Sequence, residues 1–75
     1  MYLNNRQIHE MARAAFNTYE MTADWRSALR AAHEYATDEI GVRPNRTAVL
    51  LAVKIAKTQW VAASQSVART IAHQL

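Results

Sequence analysis

The chain has no cysteine, a single glycine and a single proline. Without thiols there are no disulfides, no thiolate metal sites and no cysteine nucleophile. With Gly41 as its one glycine, the chain has no Gly-rich loop to cradle a nucleotide phosphate. So few helix breakers, beside alanine at fifteen positions, predict an all-α protein. No apolar run approaches the ~18 residues of a membrane span. The first residues, Met1 to Arg6, lack the apolar core of a signal peptide, so the expected location is cytoplasmic, with no membrane partner.

Acid is also missing from one part of the chain. All six carboxylates fall at or before Glu39, where four arginines leave that stretch at −2. From Ile40 onward the only charged residues are Arg43, Arg46, Lys54, Lys57 and Arg69, giving +5. This segregation sets up a basic surface without local counter-charge, suited to a polyanion or to an acidic partner surface. Neutralisation within the fold or across a dimer is the structural alternative.

Seventy-five residues make one domain, covering residues 1–75, of a size at which a single core supplies only ~3–5 kcal/mol. The pattern predicts a small bundle of three helices. Asn4 and Gln7, flanked by Leu3 and Ile8, form a capping box with a hydrophobic staple. Apolar residues then recur at Ile8, Met11, Ala12, Ala15, Phe16 and Tyr19, giving a helix over about residues 5–20. Thr22 or Asp24 caps a second helix over about 23–40, with Met21 as its staple. Its stripe is Trp25, Ala28, Leu29, Ala32, Tyr35, Ala36 and Ile40, and Gly41 ends it. Asp38 and Glu39 lie in its last turn, where the dipole disfavours anions, so Arg43 and Arg46 are the expected compensating cations.

A third helix over about 45–74 starts at Pro44 or Asn45 and carries the stripe Val49, Val53, Ala56, Trp60, Ala63, Val67 and Ile71. At 1.5 Å per residue it is ~43 Å long, against ~25 Å for the first two. It either overhangs them or bends near residues 63–66, where the serines weaken helix propensity. Leu50, Leu51 and Ile55 lie off its stripe, which predicts a central or doubly covered helix. The overhang and the excess apolar surface together predict a homodimer, with Val67, Ile71 and Leu75 at its interface.

Catalytic constellations are not apparent. His9, His33 and His73 share no close spacing, so no metal is expected, and no serine has a neighbouring base. The chain is therefore expected to be non-enzymatic and without cofactor. Trp25 and Trp60 fall on core-facing stripes and are expected inside, whereas Tyr2 precedes the first cap and is read as frayed or at an interface.

The functional lead is the basic segment. Arg46, Lys54 and Lys57 fall within ~80° of one another on a helical projection, with Arg43 just before them. Arg43 and Arg46 stand at a helix N-terminus, where amides and dipole favour an anion, and Thr47 and Thr58 are nearby donors. Ala36 through Val49 has a loose helix–turn–helix outline, with the turn spacing one residue off and Leu50 interrupting the cations. The expected function is a small regulator binding nucleic acid through Arg43, Arg46, Lys54 and Lys57. The rival is a protein-binding inhibitor or adaptor that occludes an acidic partner. A structural oligomerisation module is a third reading, and the type fits a phage or plasmid accessory protein.

Overall fold

A computed structural model describes the backbone of residues 3–74 and the side-chain surroundings of residues 3–65. Three helices make up an all-α bundle: α1 (Asn5–Thr22), α2 (Trp25–Tyr35, prolonged by a π-helical turn Ala36–Ile40) and α3 (Arg46–Gln74).

The start of α1 is set as its sequence requires. The Asn4 side chain accepts from the Gln7 amide at 2.8 Å, and the Gln7 side chain accepts from the Asn4 amide at 2.9 Å. Leu3 packs on the core beside buried Ile8, completing the staple. The helix runs two residues beyond expectation, to Thr22, and ends on Ala23 at φ 54°, whose amide bonds back to the Tyr19 carbonyl at 2.7 Å. Asp24 then caps α2, accepting from the Arg26 amide and the Ser27 hydroxyl at 3.0 Å each. Met21 is no staple. It is 81 % exposed, because the left-handed Ala23 turns the chain before Met21 reaches α2.

Leu3 and Ile8 lie near Asn45, Thr47 and Leu51, while Phe16 and Tyr19 meet Trp60. Helices α1 and α3 therefore run parallel, with α2 antiparallel to both. The central helix is α1, which packs extensively on both others, while α2 and α3 meet less. Within the single chain α3 is covered on one side, and Leu50 and Leu51 are 46 % and 43 % exposed.

Among the described residues, seven of the eleven core side chains are alanines: Ala12, Ala15, Ala28, Ala32, Ala36, Ala52 and Ala56. Such small side chains let backbones approach closely but bury little area each. The larger rings sit at one end instead. Tyr19 stacks on Trp25 at 3.7 Å, and Trp60 meets Tyr19 and Phe16 at 4.9 and 5.4 Å. Both tryptophans are half-buried at the margin of the core, not inside it as their spacing suggested.

Beyond Trp60 the bundle stops and α3 continues. Val61, Ala62, Ala63, Ser64 and Gln65 are all exposed, and the molecule measures 51 × 23 × 18 Å. The helix is unbroken through 63–66, so the overhang alternative holds and the bend does not. The proposed interface residues Val67, Ile71 and Leu75, like Tyr2, lie outside the residues whose side chains are described. Among the described residues, no helix is long and apolar enough to cross a membrane.

Candidate functional site

The connection between α2 and α3 builds the site. Gly41 at φ 79° ends the π-helical turn, and the Val42 amide returns to the Ala36 carbonyl at 3.0 Å. Half-buried Val42 and buried Pro44 then anchor the strand on either side of Arg43, which is left exposed. Asn45 caps α3 by accepting from the Ala48 amide at 2.8 Å, and this fixes Arg46 as the first helical residue.

An open groove of about 470 Å³ lies between α2 and α3, lined by Leu29, His33, Arg43, Pro44, Arg46, Val49 and Leu50. Its rim is cationic, its floor is aliphatic, and no carboxylate lines it. Arg43 and Arg46 are exposed, and among the described residues neither pairs with Asp38 or Glu39. The expected charge repair of that helix end is therefore not made. The one ion pair among the described residues is Arg6 with Glu10, at 3.5 Å, both on α1.

Lys54 and Lys57 continue the same side of α3 and are both exposed. The ammonium of Lys57 sits over the Trp25 ring, which ties this side of α3 to the start of α2. Leu50 lies between the cations and lines the groove. Thr58 is not a free donor, since its hydroxyl donates to the Lys54 carbonyl at 3.0 Å. Thr47 is exposed.

Four residues of α2 were missed as contributors. Leu29 reads as core from its spacing but is 38 % exposed on the groove, and His33 reads as an ordinary surface histidine. Arg26 and Arg30 share a helix face with them and are exposed, widening the positive surface. The signal was present: Arg26, Arg30 and His33 recur at i, i+4 and i+7, opposite Ala28, Ala32 and Ala36. Among neighbouring acids, Asp24 is committed as a cap, and the Arg26 amide and Ser27 hydroxyl hold its carboxyl below the usual range.

Among the described residues, no group of histidines and carboxylates is placed to hold a metal ion. No protein-family model, curated protein or solved structure matches this chain.

Proposed function

We propose that the protein is a small non-enzymatic regulator that binds nucleic acid on the α2–α3 face. The observation that carries this reading is the cation-rimmed, carboxylate-free groove. It gathers His33, Arg43 and Arg46 from three successive segments, with Lys54 and Lys57 beyond it on α3. A phosphate backbone is the abundant ligand that rewards several unpaired cations spread along one face. Exposed Leu29 and Leu50 leave room for apolar contact with base edges between those cations.

The test is fluorescence anisotropy with random-sequence duplex DNA at several salt concentrations. Each phosphate contact steepens the fall of log affinity with log salt by ~0.9, so four cations give a slope of at most about 3.6. Replacing Arg46 and Lys57 with Ala flattens it by about one unit each while leaving the fold intact.

A second reading has its own observation. Leu50, Leu51 and Val61 are 46 %, 43 % and 53 % exposed along α3, more apolar surface than a phosphate contact uses. An acidic protein surface with apolar residues would cover both kinds of group. Absence of DNA binding at about 50 mM salt, with a stoichiometric protein partner retained by the same face, would replace the first reading with the second.

A further inference from the structure

We infer that the groove between α2 and α3 seats one backbone phosphate among His33, Arg43 and Arg46, making affinity for nucleic acid rise as His33 is protonated. This rests on the nucleic-acid reading and adds a position and a pH dependence to it. The three side chains come from α2, the connection and the start of α3, and they line one space of about 470 Å³. Among the described residues, none of the three side chains has a hydrogen-bond or ion-pair partner, and all three line the groove. Pro44, Val49, Leu29 and Leu50 supply the rest of the lining and offer nothing that would neutralise an anion or compete for it.

The charged groups around His33 decide the sign. Arg30 lies a turn earlier on α2 and Glu34 follows His33 in the chain, both exposed. Arg43 and Arg46 face His33 from across the groove, and no carboxylate does. On α1, Glu10 and Arg13 line a different cleft with Tyr35, on the other side of α2. The charged side chains around His33 are therefore positive in balance, with Arg30, Arg43 and Arg46 against Glu34. A phosphate bound at Arg43 and Arg46 brings to His33 a negative charge that no other residue lining the groove supplies. Binding the anion and binding the proton are then linked: each strengthens the other.

Imidazoles change charge within the interval from about pH 5.5 to about pH 8. The test titrates a fluorescein-free, rhodamine-labelled duplex with the full-length protein at both ends of that interval, over a salt series. Wild type is expected to bind more tightly at the acidic end, with a salt slope steeper by up to ~0.9, the increment of one added contact. His33→Gln, which keeps a polar side chain but cannot charge, is expected to bind with the same modest affinity and the same slope at both pH values. His9→Gln serves as the comparison and is expected to behave as wild type, since its ring does not line the groove and its Nδ1 is engaged with the Asn5 carbonyl at 2.7 Å. Helical circular dichroism at both pH values confirms that each variant is folded. Salt-sensitive binding that does not change with pH would overturn the phosphate seat and leave the nucleic-acid reading standing. PH dependence surviving in His33→Gln would overturn it too, and absence of binding at either pH would overturn both.

Discussion

The Nζ of Lys57 lies 5.4 Å from the centroid of the Trp25 ring, so a cation of α3 rests on the first residue of α2. Tyr19 stacks on that same ring at an interplanar angle of 10°. The aromatic end of the bundle and the cationic face are thus joined through one tryptophan. A cation–π contact at an exposed site contributes ~0.5–1 kcal/mol. A urea double-mutant cycle of Lys57→Met and Trp25→Leu should recover a coupling of that size. Strict additivity would show that the ammonium is held by solvent, not by the ring.

Trp60 offers a second measurement. A fully buried tryptophan costs ~3–5 kcal/mol on truncation to alanine, enough to unfold so small a domain. Here the ring is half-buried against Phe16 and Tyr19 at the edge of the alanine core. Trp60→Ala should therefore cost about 2 kcal/mol and leave a cooperative, though weakened, urea transition. A variant with no transition at all would place the ring in the core after all.

Ala23 is the non-glycine residue held in the left-handed region, at φ 54°. That conformation costs an L-residue roughly 1–2 kcal/mol, which glycine avoids at the expense of a more flexible unfolded chain. Ala23→Gly should raise stability by about 0.5–1 kcal/mol. The reverse change at Gly41, φ 79°, should lower it by a similar amount, although an added Cβ would meet nothing within 4 Å. Opposite signs in thermal or urea unfolding are the expected result.

Asp24 predicts a pH effect. Its carboxyl is lowered first by the Arg26 amide and then by the Ser27 hydroxyl, so the folded state favours the charged form. A depressed folded pKa contributes stability that is complete above the unfolded value and is lost as pH falls through the folded one. Asn caps a helix about as well as Asp but does not titrate here. Asp24→Asn should therefore unfold with a shallower loss of stability below about pH 4 than wild type. Parallel acid-unfolding curves would remove Asp24 from the account.

Much of the fold was legible because local signals acted alone. The Asn4–Gln7 capping box, the glycine stop at Gly41 and the cap at Asp24 each work within a few residues of chain. What misled was the assumption that large apolar residues occupy the core. Trp25, Leu29 and Trp60 all carry helical spacing, yet alanine from each helix fills the centre and displaces them to the rim. Periodicity locates the buried face but not its width, and close packing narrows that face to a few positions per turn. The basic segment was visible from charge segregation, and Arg43, Arg46, Lys54 and Lys57 are exposed as expected. The contribution of α2 was missed although Arg26, Arg30 and His33 recur at helical spacing, because that pattern marks a charged face without saying which helix lies beside it.

A centre made of methyl groups also limits what the sequence can become. Each of Ala12, Ala15, Ala28, Ala32, Ala36, Ala52 and Ala56 has zero exposure. Enlarging one forces helices apart, at about 1–3 kcal/mol, and the only smaller residue, glycine, loosens the helix by about 1 kcal/mol. Against a total of ~3–5 kcal/mol, neither direction is cheap. Saturation mutagenesis read by proteolytic resistance should find seven positions that tolerate almost no replacement, in a chain whose exposed Leu29, Leu50 and Leu51 are more freely exchanged.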